Sequence, residues 1–447
     1  MAQCEFKDLI KVEKPTTPIL IQNVSIFDGV NENLLHQKDV LIEKDRIKKI
    51  SDTGSINAEN AQLIDGSGKT LMPGFIDSHV HVTGSGAVPW NNKKGNTQYN
   101  LDAYLYAGIT TLYDLGGMAS QLKKLSSKLR SGEMRGPNLF HTHIPITIKN
   151  SHPIPLSRLF LPGFMGFLAN LVFPTIQKES DAKKIIRKMR TRGVNYIKIV
   201  CDKIPPDSPE MPFKLMKALV DEAHAEGFKV FVHIGSVSNA LRAVEAGTDI
   251  LAHGIWRDRL TEEQADKIAA SGVKIIYTLA GFVNVDKINN GAFTPTEQDR
   301  KLVPCCVLEA VENEKGKMVN GRKVIGDFFQ NVSDHRPHWE HNFDLLRKRN
   351  VPILVGTDSN LPGTYAGATY YQEMYELSRF GLSNYLILKG ATSENAKLFQ
   401  TNPDFGMIAE GKRADLLLLA ENPLEKLDTI EKPVQIISGG RLIHKVI

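Results

Sequence analysis

His79 and His81 stand one residue apart in the stretch Leu71–His81, LMPGFIDSHVH. On a β-strand, residues i and i+2 point to the same side, so both imidazoles project together from one strand end. Paired imidazole nitrogens suit a borderline divalent metal, zinc above all. Four further residues sit at comparable places. Lys198 lies inside VNYIKIV, His233 in KVFVHI, His253 follows DILA, and Asp358 closes VPILVGTD. Alternation puts Lys198 on one face with Tyr196 and Val200, His233 with Phe231, and His253 with Leu251. A lysine in an apolar strand is costly unless it is paired or neutral. One strand histidine is ordinary core packing. Two histidines, a lysine, two more histidines and an aspartate at matching strand positions make a set that can build a metal centre.

The elements that must hold this set follow from the texture of the chain. From His81 onward, apolar strand-like runs alternate with helix-length amphipathic stretches, the pattern of a parallel sheet. The runs are FIDSHVH, ITTLYDLGG, NLFHTHIPI, VNYIKIVCD, KVFVHI, DILAHGI, VKIIYTLA and VPILVGTD. Eight such runs predict an α/β fold, a (β/α)8 TIM barrel, with active residues at the strands' C-terminal ends. An open doubly wound sheet is disfavoured, since no Gly-rich phosphate fingerprint follows the first run. Insertions are expected near 145–178 and 281–334, where barrel lids lie. Residues 18–70 read as short antiparallel strands, and β-texture returns after the barrel in EGKRADLLLL and VQIISGGRLIHKVI. The expected division is therefore 1–70 and 401–447, folding together as a small β-sandwich domain, and 71–400 as the barrel.

The 447 residues carry a formal net charge of +5, with 42% hydrophobic and 23% charged residues. These are values of an ordinary globular protein. Basic residues cluster only briefly, at 183–190 and 347–349, which argues against nucleic-acid binding. Four cysteines, at 4, 201, 305 and 306, suggest neither a disulfide framework nor a cysteine-rich zinc site. No apolar signal segment opens the chain, so a cytoplasmic protein is expected. The run 159–176, LFLPGFMGFLANLVFPTI, has no charge, but Pro162, Gly163, Gly166 and Pro174 interrupt it. An apolar lid carrying Phe164, Phe167 and Leu168 is expected there, with an oligomer contact or a membrane-surface contact as the alternatives, and not a transmembrane segment. Self-association as a homo-oligomer stays open.

With GFIDSHVH, YIKIV, FVHI, LAHGI, VGTDS, ATSENAKLF and EGKRADLLLL in order, the chain resembles the amidohydrolase superfamily over roughly 18–447. The resemblance points to the branch of imidazolonepropionase-related hydrolases and Xaa-Pro dipeptidases. It implies two divalent metal ions, zinc fitting best. His79, His81 and Asp358 would hold one, His233 and His253 the other, and a CO2-derived carbamate on Lys198 would bridge them. It further implies hydrolysis of a C–N bond, amide or dipeptide-like, in a small-molecule substrate through a metal-bridging hydroxide, with Asp358 as catalytic proton carrier. The same centre would serve an ester, lactone or phosphotriester. A non-catalytic assembly protein on this scaffold is the rival outside enzymes, and it would be expected to lack some of these ligands. Relatives often carry Gly-Gly-His after the third strand. Here Asn150 and Ser151 replace the glycines and His152 falls near the histidine, so His152 and the extra His143 become candidate substrate contacts.

Overall fold

A computed structural model describes residues 5–88, 95–158, 169–317, 323–398 and 400–446. Six strands precede the metal-type motif: β1 (Ile10–Glu13), β2 (Ile19–Ile26), β3 (Leu35–Glu43), β4 (Arg46–Asp52), β5 (Gln62–Asp65) and β6 (Thr70–Pro73). Eight more match the apolar runs: β7 (Phe75–Val80), β8 (Ile109–Asp114), β9 (Asn138–His141), β10 (Ile197–Val200), β11 (Val230–His233), β12 (Ile250–Ala252), β13 (Lys274–Ile276) and β14 (Ile353–Leu354). Three close the chain: β15 (Leu416–Leu419), β16 (Gln435–Ser438) and β17 (Arg441–Lys445).

The two chain ends share one nine-stranded sheet in the order β1-β17-β16-β15-β6-β2-β3-β4, with β5 beside β2. Its middle seam is the antiparallel pair β6–β15, from Thr70 opposite Leu419 to Pro73 opposite Leu416. Where a sandwich of two sheets was expected, the hydrogen bonding is that of one continuous sheet. Residues 18–70 also differ from an all-antiparallel reading, because β2 pairs parallel with both β5 and β6. Strand β1 begins before the expected start at 18; four residues carry too little pattern, and pairing with β17 defines them. On β2 the register shifts between Ile21 and Val24. That shift changes the parity of the strand, so Ile19, Ile21, Val24 and Ile26 all reach the same cluster as Leu416, Leu418 and Ile437.

Strands β7–β9 and β10–β14 form two parallel sheets. Isolated parallel bridges lie at both seams, Ile146 with Ile199 and Val80 with Ser359. Ile146 N–H donates to Lys198 O at 2.9 Å, and Ser78 N–H to Val355 O at 3.2 Å. One apolar cluster takes a side chain from all eight strand segments: Ile76, Tyr113, Phe140, Tyr196, Phe231, Ile250, Ile276 and Leu354. The next residues in alternation, such as Ile197, Ile199, Val230, Val232 and Leu251, belong to the larger core shared with the helices.

The helices begin and end where local chemistry directs. Ser236 and Thr261 cap Val237–Ala246 and Glu262–Ala270 with capping boxes. Gly193 and Gly247 adopt the left-handed conformation that ends Ala182–Arg192 and Val237–Ala246. The second insertion is helical, with Leu279–Asn289, Glu297–Leu302, Cys305–Glu312 and Lys323–Asp334. Among the described residues no helix is long and apolar enough to cross a membrane. Phe164, Phe167 and Leu168 of the expected lid lie outside the described residues.

Candidate metal centre

β7 delivers His79 and, one residue past its end, His81. Asp358 follows β14, with its N–H donating to His79 O at 2.7 Å and a left-handed φ of 56°. Its Oδ1 lies 3.1 Å from His79 Nε2 and 3.0 Å from His81 Nε2. These three side chains form the one compact His/Asp ligand group found among the described residues. Ligands bound at about 2.1 Å around a single zinc lie about 3–3.5 Å from one another, and the two His–Asp distances fall in that range.

Proton placement sharpens the point. His81 Nδ1 lies 3.1 Å from Gly116 O. A carbonyl only accepts, so Nδ1 carries a proton and Nε2 is the ring nitrogen that faces the carboxylate. Burial opposes charge on His81, but the Asp358 carboxylate 3.0 Å away outweighs it and raises the ring above the usual imidazole value, so the space between the two atoms favours positive charge, a proton or a metal ion. Burial opposes charge on Asp358, but His81, His253 and Lys198 outweigh it and hold the carboxyl below its usual range. Burial pushes His79 well below the usual imidazole value, with the Lys198 charge adding to it.

The remaining residues of the set line the same cavity, of about 530 Å³, as His79, His81 and Asp358. His233 and His253 have ring centroids 4.2 Å apart, and His253 lies 4.9 Å from His79. Lys198 is buried, and its Nζ has no hydrogen-bond partner among the described residues. Burial lowers its pKa to about 7, against the opposing pull of Asp358. Such an amine is substantially neutral at physiological pH and can take up CO2.

His253 reaches the cavity by a route that alternation does not foresee. Leu251, its expected face-mate, packs in the core shared with the helices, while Ile250 packs in the central cluster. The φ of 77° at His253 breaks the alternation and turns its side chain inward. Thr278 Oγ1 then holds His253 Nδ1 at 2.8 Å, leaving Nε2 as the second ring nitrogen.

Supporting residues were not singled out by the sequence. Asp202, fully buried two residues past β10, lies 3.5 Å from His233 Nε2 and 2.5 Å from Arg257 Nη1. Burial alone would raise the Asp202 pKa; His233 and Arg257 pull it below the carboxylate range instead. Asp77 accepts from Thr357 Oγ1 at 2.7 Å, from Thr357 N–H at 3.0 Å and from His79 N–H at 3.2 Å. It thereby ties β7 to the turn that carries Asp358. Asp114 accepts from Val82 N–H at 2.9 Å and Gly116 N–H at 3.0 Å, fixing the backbone on both sides of His81. Asp114 and Asp202 lie at or just past a strand end, while Asp77 sits inside β7, two residues before His79. At Gly116 a Cβ would come within 3.0 Å of the His81 ring, so only glycine leaves that approach open.

Of the two candidate substrate contacts, His152 lines the cavity, 4.8 Å from the His233 ring. Burial keeps it neutral, with its pKa lowered to about 3. His143 is not among the lining residues. Its Nδ1 accepts from Ala119 N–H at 3.2 Å at the start of the helix Ala119–Ser131. The structure gives that side chain a helix-end contact instead of a cavity position.

The family model for the amidohydrolase family matches residues 70–443. The chain belongs to the amidohydrolase family, and it is a hydrolase of carbon–nitrogen bonds. An ochratoxinase of Aspergillus niger is 23% identical over 406 residues, covering 83% of this chain and 75% of that protein. The structure of a Xaa-Pro dipeptidase with bound methionine is 19% identical, with a TM-score of 0.74 over 96% of this chain and 100% of that one. A molinate hydrolase structure, 19% identical, has a TM-score of 0.75 over 95% and 94% of the two chains.

Proposed function

We propose that this chain is a binuclear metal-dependent amidohydrolase built on a closed (β/α)8 barrel, 71–400, with the small β-domain formed by 1–70 and 401–447. The bridges at both seams and the cluster fed by all eight strand segments support the barrel. The observation that carries the function is the grouping of His79 Nε2, His81 Nε2 and Asp358 Oδ1, with the two imidazole nitrogens 3.1 and 3.0 Å from one carboxylate oxygen.

His79, His81 and Asp358 would hold one ion; His233 and His253 would hold the second, and Lys198, carboxylated by CO2, would bridge them. When bound, two zinc ions supply Lewis acidity toward the scissile carbonyl and lower the pKa of the attacking water. The chain's own groups do the rest. Asp358, held well below its ordinary pKa by His81, His253 and Lys198, remains a carboxylate able to take a proton from the attacking water. It then returns that proton to the departing nitrogen. Thr278 and Asp202 fix the His253 and His233 rings. Phe282, Val285, Phe328 and Phe329 of the helical insertion line the cavity and would displace water from around the reacting carbonyl.

Metal analysis of protein purified without chelator tests the centre. Two equivalents of zinc per chain are expected. Less than one equivalent after incubation with zinc overturns it.

A further inference from the structure

The cavity that holds the candidate centre is sharply divided in character. Among the described residues that line it, Lys198 and Asp358 are the only Lys, Arg, Asp or Glu side chains, and both belong to the centre. Arg257 stacks its guanidinium on the Trp256 ring, 4.5 Å from the centroid, and its charge is already paired: it bonds Asp202 and donates to Lys203 O at 3.1 Å. Beside the centre stands an aromatic wall. Trp256 and Phe282 have ring centroids 5.6 Å apart, Trp256 and Phe328 6.2 Å, and Phe282 lies 5.8 Å from the His253 ring. Phe173, at the end of the uncharged run, joins the lining. Trp256 Nε1 and His152 Nδ1 are buried with no hydrogen-bond partner among the described residues. These are neutral groups, able to meet a carbonyl or ether but not to balance a charge. A free carboxylate or ammonium placed against these rings would lose its water and meet no unpaired counter-ion among the described residues outside the centre.

We propose that the substrate is a neutral amide with an aromatic arm, seated against Trp256, Phe282 and Phe328, and not a free dipeptide or any other substrate bearing a terminal carboxylate. This rests on the hydrolase reading above and narrows it. The pair N-acetyl-phenylalanyl-pyrrolidide and N-acetyl-phenylalanyl-proline tests it, because both have the same tertiary amide and differ by one carboxylate. Hydrolysis adds water across the C–N bond in each, giving N-acetylphenylalanine and either pyrrolidine or proline.

Turnover and calorimetric binding are both measured on the zinc-loaded protein. The pyrrolidide is expected to bind at least 30-fold more tightly than the proline compound, and to be the one cleaved. Trp256→Ala should weaken pyrrolidide binding at least tenfold, and Phe328→Leu repeats the test where Trp256→Ala disturbs folding. Tighter pyrrolidide binding without cleavage of either compound would uphold this inference while counting against the hydrolase reading for this bond. Equal or tighter binding of the proline compound overturns the inference, cleaved or not. Failure of both to bind below millimolar concentration also overturns it, since the aromatic wall would then hold no aromatic arm.

Discussion

Lys198 sets the electrostatics of the centre. Its amine is buried on β10 without a hydrogen-bond partner among the described residues, and burial brings its pKa down to about 7. If the neutral amine takes up CO2 and bridges two ions, Lys198→Ala should lose activity and at least ~100-fold in metal affinity, more than loss of a supporting contact costs. Short carboxylates such as propionate should restore part of both. A fully active Lys198→Ala enzyme rules out the bridge. Asp358 separates proton transfer from metal holding. Asp358→Asn should lower kcat by roughly two to four orders of magnitude if general acid–base catalysis is lost. A loss below tenfold with metal retained ends the proton-carrier role. At this scale the sequence is readable where strand alternation holds, as at Lys198 and His233, whose neighbours Tyr196 and Phe231 pack in the central cluster. It misleads where the backbone leaves the strand: His253 turns inward through a positive φ. His143 reads as a free polar side chain because its partner, the Ala119 amide, lies 24 residues away.

The helix Leu279–Asn289 carries Phe282 and Val285 into the cavity wall directly after Thr278, the partner of His253. A buried carboxyl meets its first turn. Glu373, fully buried on the helix Ala368–Arg379, accepts from Ala280 N–H at 2.6 Å. Burial raises its pKa to about 8, although the helix amides pull the other way. The folded protein therefore holds a proton on Glu373 that the unfolded chain releases near pH 4.5. The resulting stability is fully present below pH 4.5 and is lost as pH rises through about 8, amounting to a few kcal/mol at most. Denaturant titrations of wild type and Glu373→Gln between pH 5 and 8.5 check this. Wild type should lose more stability over that range, while the glutamine variant, which keeps an acceptor for Ala280 N–H, should respond less steeply. Parallel pH profiles would show that Glu373 is ionised throughout. Neither Glu373 nor its role is visible in the sequence, because its partner amide lies 93 residues away.

At the scale of the whole molecule, the eight strand segments were legible because parallel strands buried on both faces give short apolar runs between amphipathic helices. The shared sheet of the two chain ends was legible only as returning β-texture; its order and its parallel pairs with β2 depend on contacts distant in sequence. The cavity's neutrality was not legible at all, since it is a property of which side chains converge. That same convergence couples the centre to folding. Elements β7, β10, β11, β12 and β14 each bring a ligand candidate to one place, where four imidazoles, an amine and a carboxylate face each other in a medium that solvates them poorly. A metal that binds this arrangement and not the unfolded chain stabilises the fold by mass action, by about 2.7 kcal/mol at a free concentration 100 times its Kd. Stripping metal with a chelator should therefore lower Tm, and titrating zinc back should raise it in a concentration-dependent manner until two equivalents are bound. Lys198→Ala should show a smaller rise, because the residue that would join the two ions is gone. A Tm that does not change on stripping and reloading would mean that the folded chain has no metal affinity beyond that of its unfolded histidines, and the candidate centre would have to be abandoned.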